Sequence, residues 1–309
     1  MSYTKSLATC NPFLRWAGGK SWLLPTWYKL IDKLKFNQYH EPFVGGGTSF
    51  FALPSLHASY LSDINEELIL AYKMVKDFPE ELYVALTKLK NTKEDYYIIR
   101  DRRCRTDITK AARFIYLNQT SYNGLWRVNR RGEYNVPYGF RKNWAYEKDR
   151  LLKASQFLVK QHAHIVQQDF ALAIERVQEG DFVFLDPPYT VSKDGDNGFI
   201  EYNETIFSLD DQKRLSDCID SIRKRHAYYV LTNACHPVIA EMFDKGDRRL
   251  EILRNSCIGG KSAKRGPIKE YVFTNIPEAH YNANASNKLG RCCFRRSTEA
   301  CKEESFCGL

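Results

Sequence analysis

The sequence has no long apolar segment. None of its 309 residues lies in an uninterrupted run of about 18 apolar side chains, so no membrane span is expected. Residues 1–11 also lack the apolar centre of a secretory signal peptide. The nine cysteines include no Cys-x2-Cys pair, the spacing of a structural zinc site. An odd number of thiols without such spacing favours a reduced, cytoplasmic chain with no bound metal.

A dinucleotide-binding fingerprint and internal repeats are also missing. The glycine-rich stretch Gly45-Gly46-Gly47 has Phe50 where the third glycine of G-x-G-x-x-G would fall, so a nicotinamide cofactor is poorly supported. Hydrophobic residues make up 43% and charged residues 27%, as in ordinary folded proteins. A chain of this length forms one large α/β domain, or a catalytic core with an inserted lobe.

The net charge of +9 is concentrated in one block of the sequence. Residues 90–160 carry 17 Lys+Arg and 7 Asp+Glu, a net of +10, and the rest of the chain is nearly neutral. The block also holds many aromatic residues: Tyr96, Tyr97, Tyr122, Trp126, Tyr134, Tyr138, Trp144 and Tyr146. Cations for phosphates and rings for unstacked bases indicate a nucleic-acid surface. A solvated basic lobe with its aromatics in a local core is the alternative interpretation.

Short apolar strands alternate with helical segments outside this block. Strands are predicted at 39–44, 58–61, 165–166, 182–185, 228–231 and 271–273. Helices are predicted at 65–75, 146–162 and 208–224, a mostly helical stretch at 80–116, and a short helix through Phe50 and Phe51. Residues 118–147 are expected to form a loop or hairpin. The alternation predicts a doubly wound α/β sheet, which the basic block interrupts as an insertion.

A tetrapeptide whose groups could take part in catalysis, Asp186-Pro187-Pro188-Tyr189, follows the strand predicted at 182–185. Ligand sites in open α/β sheets lie at the carboxyl ends of strands. The Asp186 carboxylate and the Pro187 carbonyl can accept two hydrogen bonds from one exocyclic amine and so localise its lone pair for attack. Tyr189 offers a stacking face to an extruded base. The alternative is a plain strand-end turn.

Two further segments carry candidate ligand contacts. The glycines after Glu41-Pro42-Phe43 allow close approach of a ligand to the backbone, and Asp63 is placed to bind a ribose diol. Trp16 can pack on a flat ligand, and Lys20 can meet a carboxylate. A tight turn with a helix cap and an N-terminal segment docked on the core remain the alternatives.

In their order, these segments resemble the Dam-type N6-adenine DNA methyltransferases over about residues 10–276. The resemblance implies a Rossmann-like, S-adenosylmethionine-dependent α/β methyltransferase sheet with an inserted, mostly helical DNA-recognition domain that carries a β-hairpin. It implies a catalytic core at 1–66 and 160–276 and a recognition domain at 67–159. We expect a disordered tail at 277–309; a thiol-based or metal-binding tail is the alternative.

The resemblance also implies residue roles. The methyl donor S-adenosylmethionine would be contacted by Trp16, Lys20, Phe43, Gly45, Asp63 and Asp186. A flipped adenine would be held by Asp186, Pro187 and Tyr189. DNA would be contacted by Arg15, Tyr122, Asn123, Leu125, Arg127 and Pro137. Arg127 takes the guanine-reading position of GATC-modifying members, Leu125 and Pro137 the thymine-methyl positions, and Arg15 the outer guanine position.

One departure concerns the recognition segment. Phe140-Arg141 follows Gly139, where the GATC-modifying members have Arg and then Tyr. This leaves the readout of the outer bases open. Arg127 could also be a phosphate contact rather than a base contact.

The expected activity is sequence-specific methylation of adenine N6 in double-stranded DNA, by base flipping and direct attack of the amino nitrogen. No Pro-Cys pair is present, so the covalent route of the cytosine-C5 enzymes is not expected. N4-cytosine methylation is the nearest rival, although those enzymes usually begin the tetrapeptide with Ser. RNA or protein-glutamine methylation and a non-catalytic DNA-binding role are further alternatives. We expect a monomer with no membrane contact and no obligate protein partner, in a bacterial nucleoid or a phage-infected cell.

Overall fold

A computed structural model describes residues 10–278, except 17, 32, 55, 130, 142–145, 190–206 and 256–266, and the short strand at 294–295. The chain divides into two compact units. The first comprises residues 1–184 with 225–227, and the second residues 185–224 with 228–309. Both units combine helices with strands, so the protein has a mixed α/β fold.

Parallel strands form the sheet of the first unit in the order β3-β2-β1-β4. They are β1 (Tyr39–Glu41), β2 (Ser59–Asp63), β3 (Ala163–Gln167) and β4 (Phe182–Leu185). β1 pairs with β2 from Tyr39↔Ser59 to Glu41↔Leu61, and β2 pairs with β3 up to Asp63↔Gln167. Because these three strands are parallel, their carboxyl ends meet at one edge of the sheet.

The predicted strands are confirmed, with different ends. β1 stops at Glu41 instead of residue 44, because Pro42 has no N–H to donate to a ladder. β2 continues through Asp63, two residues beyond its predicted end. The short helix predicted after the glycines is a single 3-10 turn at Phe50–Ala52.

The helices described in the first unit are α1 (Leu24–Ile31), α2 (Glu66–Asp77), α3 (Pro79–Thr87), α4 (Lys93–Asp101), α5 (Asp107–Thr120), α6 (Lys148–Lys160) and α7 (Phe170–Glu175). The predictions at 65–75 and 146–162 are confirmed as α2 and α6. The stretch at 80–116 is divided because Thr92 and Thr106 accept backbone hydrogen bonds from Asp95 and Thr109 and so begin new helices. The sequence patterns missed α1 and α7.

The segment that follows α5, described at residues 121–129 and 131–141, is an irregular excursion. Its hairpin consists of two antiparallel bridges, Ser121↔Tyr138 and Val128↔Tyr134, instead of regular strands. Trp126 lies between Phe114 of α5 and Tyr134, with ring centroids 4.4 and 4.7 Å away. These contacts anchor the excursion to α5.

The second unit has an antiparallel set of strands in the order β5-β7-β6-β8. They are β5 (Tyr228–Ala234), β6 (Arg248–Asn255), β7 (Pro267–Thr274) and β8 (Phe294–Arg295). The predicted strands at 228–231 and 271–273 are confirmed as parts of β5 and β7, whereas β6 was missed.

The predicted helix is α8 (Leu209–Lys224), and α9 (Pro237–Met242) follows β5. Ser208 and Asp211 cap α8 reciprocally, as their spacing predicted.

Two further predictions concern membranes and cysteines. None of the helices in the described part of the chain has the length and apolar character needed to cross a bilayer. Cys10, Cys104, Cys218 and Cys235 are free thiols. The other five cysteines lie outside the described residues, as do Trp144 and most of the tail at 277–309. Within the described residues, no three His, Cys, Asp or Glu side chains group as metal ligands would.

Candidate active site

The glycine turn after β1 is packed tightly against Trp16. A Cβ at Gly45 would lie 2.9 Å from the indole ring, and one at Gly46 would lie 2.7 Å from the Trp16 Cβ. Gly45 and Gly47 also have positive φ angles of 46° and 67°, which favour glycine. The hydroxyl of buried Tyr72 donates to the Gly45 carbonyl at 3.1 Å. Only glycine therefore fits this backbone path.

The Asp63 carboxylate at the end of β2 is bound to the same turn. Its Oδ2 accepts from the Gly45 N–H at 3.1 Å, and its Oδ1 accepts from the Asn65 N–H at 3.0 Å. Burial raises the pKa of Asp63, and these backbone donors counteract part of that rise. The structure thus brings together Asp63 and Gly45, which the sequence analysis assigned to one cofactor.

The other cofactor contacts predicted in the first unit have partners of their own. Phe43 stacks on Phe170 with ring centroids 5.3 Å apart. Lys20 is buried, and its ammonium group donates to the Gly18 carbonyl at 3.0 Å. Ile64, next to Asp63, is 70% exposed. Tyr72, Phe170 and Ile64 therefore lie beside the residues that were predicted to contact the cofactor. Phe170 follows the end of β3 as Asp63 ends β2, a positional signal that could have identified it.

In the first unit, Asn118, near the end of α5, holds residues of the segments that were predicted to contact DNA. Its amide accepts from the Arg15 N–H at 2.9 Å and donates to the Arg15 carbonyl. It also donates to the Gly124 carbonyl at 3.3 Å. Asn118 is completely buried. It joins two predicted DNA-contact segments that lie more than 100 residues apart in the sequence.

Several residues that were predicted to contact DNA lie on the surface of the excursion. Tyr122 is 44% exposed, and its N–H donates to the carbonyl of exposed Pro137 at 2.9 Å. Asn123 is exposed and adopts a positive φ of 55°. Leu125 is half-buried, and its carbonyl accepts from the Tyr134 hydroxyl. Arg127 is exposed and donates to Asn135 at 2.7 Å, not to another predicted DNA contact.

Most of the aromatic side chains that the structure describes in the basic block are buried or half-buried. Tyr96, Tyr134 and Tyr138 are buried, and the Tyr96 hydroxyl donates to the Val136 carbonyl. The alternative interpretation of the block, a local aromatic core, therefore describes these rings correctly. Tyr122 differs from them in its exposure.

The tetrapeptide in the second unit is fixed by side chains of β5, β7 and α8. The Thr232 hydroxyl donates to Asp186 Oδ1 at 2.7 Å. The Tyr189 hydroxyl donates to Glu270 Oε2 at 2.6 Å. The Gln212 amide lies 3.5 Å from the Pro188 carbonyl and accepts from Asn233 at 2.9 Å. Asp186, Pro188 and Tyr189 are half-buried, and Pro187 is buried.

Two negative charges act on Tyr189. Burial raises the pKa of its phenol well above the usual range, and the carboxylates of Asp186 and Glu270 raise it further. The phenol therefore stays protonated and can donate its hydrogen bond. This contact network is more than the plain strand-end turn that was the alternative.

Residues 16–255 match the family described as D12 class N6 adenine-specific DNA methyltransferase. The chain belongs to this family. It is similar to Type II methyltransferase M1.LlaDCHI of Lactococcus lactis subsp. cremoris, with 37% identity over 88% of this chain and 97% of that protein. It is 35% identical to Type II methyltransferase M.MjaIII of Methanocaldococcus jannaschii, over 82% and 95% of the two chains. It is 31% identical to the DNA adenine methylase of Escherichia coli K12, over 86% and 95%.

Membership confirms the family resemblance and the α/β methyltransferase fold, and it implies S-adenosylmethionine as the methyl donor of this methyltransferase. The feature of this turn that suits such a ligand is the Asp63 carboxylate beside it, whose oxygens can accept further hydrogen bonds, since the glycine backbone itself is buried against Trp16 and Tyr72. The sequence patterns did not identify Asn118, Thr232, Gln212 and Glu270. Their contacts to Arg15, Asp186, Pro188 and Tyr189 span 24 to 103 residues of the chain, so local patterns carry no signal for them.

The raised pKa of Asp63 predicts a pH dependence of stability. The folded methyltransferase holds the Asp63 proton more tightly than the unfolded chain does, so stability falls as pH rises from the ordinary value of 3.8 through the raised pKa. Asp63→Asn removes this titration but retains one amide acceptor. Urea unfolding from pH 3.5 to 7 should therefore show the stability of the native protein declining relative to Asp63→Asn. A difference that stays constant or changes in the opposite direction would contradict the prediction.

Proposed function

We propose that this methyltransferase modifies adenine N6 within GATC sites of duplex DNA, by flipping the adenine and letting its amino nitrogen attack directly. The observation that carries the methyl-transfer part of the proposal is the tetrapeptide, in which Thr232 orients the Asp186 carboxylate and Glu270 holds the Tyr189 ring. In this proposal residues 1–66 and 160–276 form the catalytic core, and residues 67–159 recognise DNA.

The side chains that would hold S-adenosylmethionine are Trp16, Lys20, Phe43, Asp63 and Asp186, together with the Gly45 backbone. When bound, this cofactor supplies a methyl group made electrophilic by its sulfonium. Asp63 fits a ribose diol because carboxylate oxygens accept hydrogen bonds from both hydroxyls. Phe43, which stacks on Phe170, offers an apolar face for a flat ring.

The target amine would be held by two acceptors. The Asp186 carboxylate and the Pro187 carbonyl accept its two hydrogens, which concentrates the nitrogen lone pair on the side of attack. Tyr189 supplies a stacking face, which offsets part of the few kcal/mol that extrusion of a base costs. No side-chain nucleophile is required, since the amine itself forms the new bond.

Recognition of DNA would rest on the exposed part of the excursion. Arg127 has two donors that match guanine O6 and N7, and Leu125 and Pro137 offer apolar contacts to a thymine methyl. Tyr122 and Asn123 stand exposed where they can enter the base stack. The bridges Ser121↔Tyr138 and Val128↔Tyr134 and the bond from Asn118 to Gly124 hold this segment together, which supports a single recognition surface.

The departure at Phe140-Arg141 places the arginine one position later, at Arg141, whose charge acts on Arg15. Arg141 donates to Gln119 at 2.9 Å, while the neighbouring Asn118 clamps the Arg15 peptide. Burial lowers the pKa of Arg15, and the charge of Arg141 lowers it further. Two neighbouring guanidinium groups favour an anionic or acceptor-rich partner, such as a phosphate or the outer guanine.

The GATC assignment predicts a specific digestion pattern. DNA from cells that express the protein should resist a nuclease blocked by GATC methylation and be cut by a nuclease that requires it. DNA from cells expressing Asp186→Ala should show the reverse. Methylated adenine found only outside GATC would contradict the sequence assignment but not the adenine assignment.

The acceptor role of Asp186 predicts a chemical defect without a binding defect. Asp186→Ala should lower the single-turnover rate of tritiated-methyl transfer at least about a hundredfold, because the amine loses its charged acceptor. DNA affinity, measured by fluorescence anisotropy, should change less than about twofold. Asp210→Ala, at an exposed carboxylate of α8, is the matched control and should retain full activity. Full turnover by Asp186→Ala would refute the mechanism.

A base-reading role for Arg127 predicts a position-specific effect. Arg127→Ala should reduce discrimination at one base pair by about 1–3 kcal/mol and leave the other positions unchanged. The control is Arg131→Ala, an exposed arginine of the same excursion. Competition binding with single-base variants of the site measures the effect. A uniform loss across all sequences would make Arg127 a phosphate contact instead.

A further inference from the structure

The tetrapeptide has an unusual shortage of backbone donors. Pro187 and Pro188 have no N–H, so half of its residues cannot donate a backbone hydrogen bond. Three side chains of other elements contact it: Thr232, Gln212 and Glu270. All three are at most 1% exposed. The tetrapeptide is therefore positioned in part by side chains of the core.

The strand register explains how two of these side chains converge. Thr232 of β5 pairs with Val272 of β7, and Ala234 pairs with Glu270. Side chains two residues apart in a strand point to the same face, and paired residues share a face. Thr232 and Glu270 are therefore diagonal neighbours on one face of the sheet. Asn233 points to the other face, where it meets Gln212 of α8.

Glu270 is a costly residue at a buried strand position. A carboxylate shielded from water is destabilising unless hydrogen bonds satisfy it. The 2.6 Å bond from the Tyr189 hydroxyl is one of the bonds that do so. A neutral side chain would fill the same position in β7 without that cost. The presence of a carboxylate at position 270 therefore indicates that the Tyr189 hydroxyl requires a strong hydrogen-bond acceptor.

We propose that Glu270 is a positioning residue for methyl transfer, which fixes the plane of the Tyr189 ring on which the flipped adenine stacks. This inference rests on the proposed function. A phenol O–H prefers to lie in the plane of its ring, so an acceptor at a fixed place restricts rotation of the ring about its axis. Thr232 acts in parallel on Asp186, so the stacking face and the amine acceptor are set from one face of the sheet.

The test compares Glu270→Gln with Tyr189→Phe and with the double variant. Glu270→Gln keeps the shape and a neutral acceptor, so the fold is retained while the charge-assisted bond is weakened. Each single variant should lower the single-turnover rate of methyl transfer about tenfold, with the Kd for DNA and for S-adenosylmethionine changed less than about twofold. The double variant should lose no more than either single variant, because both remove the same bond.

A matched control is Glu251→Gln in β6. Glu251 pairs with Tyr271, beside Glu270, and forms a partly exposed ion pair with Lys269 at 3.3 Å. This variant should retain the native rate. A rate loss in Glu270→Gln accompanied by an equal loss of DNA affinity would show a merely structural role and overturn the proposal. Independent, multiplying effects of the two single variants would overturn it as well.

A spectroscopic readout separates stacking from folding. With 2-aminopurine in place of the target adenine, stacking on the Tyr189 ring quenches its emission. Glu270→Gln should bind this DNA normally and raise the emission, as should Tyr189→Phe. Unchanged emission and rate in Glu270→Gln, in an enzyme that methylates adenine, would refute the role of Glu270 alone. Absence of methyl transfer and of 2-aminopurine response in the native protein would refute the proposed function and, with it, this inference.

Discussion

Irregular segments need hydrogen-bond partners for their polar groups, and in this methyltransferase the side chains of neighbouring elements supply them. Asn118 bonds the peptide groups of Arg15, and Asp63 accepts from the N–H of Gly45. Thr232 and Glu270 bond the Asp186 and Tyr189 side chains of the tetrapeptide. Each of these segments was a candidate ligand contact by sequence. The segments that carry chemistry are thus loops whose shapes are set by distant residues of the core.

The glycine turn illustrates how this constraint restricts the sequence. Trp16 and Tyr72 approach its backbone so closely that a Cβ has no room at Gly45, Gly46 or Gly47. The three glycines are themselves buried, and the Asp63 carboxylate reaches the turn to accept from the Gly45 N–H. The requirement for glycine is therefore imposed by packing from inside the unit and does not depend on a ligand being present.

The basic excursion combines two interpretations that the sequence left as alternatives. Its buried rings form a local core around Trp126 and Tyr134, while Tyr122 and Arg127 remain exposed. Because most aromatic side chains of this lobe pack against one another, few rings remain to stack on bases. The charge of the block therefore describes its surface, and its aromatic content mainly describes its interior.

The sequence alone determined the short motifs and their order, because those depend on local chemistry: glycines where side chains do not fit, prolines after a strand, and a carboxylate at the end of the next strand. It also located most of the strands and capped helices, including the reciprocal cap of Ser208 and Asp211. It misjudged the end of β1, where Pro42 cannot donate to a ladder, and it missed β6. Only the tertiary structure decided which side chains hold the motifs. Glu270 follows Tyr189 by 81 residues and Asn118 follows Arg15 by 103, and pairings over such distances are set by strand register and helix packing.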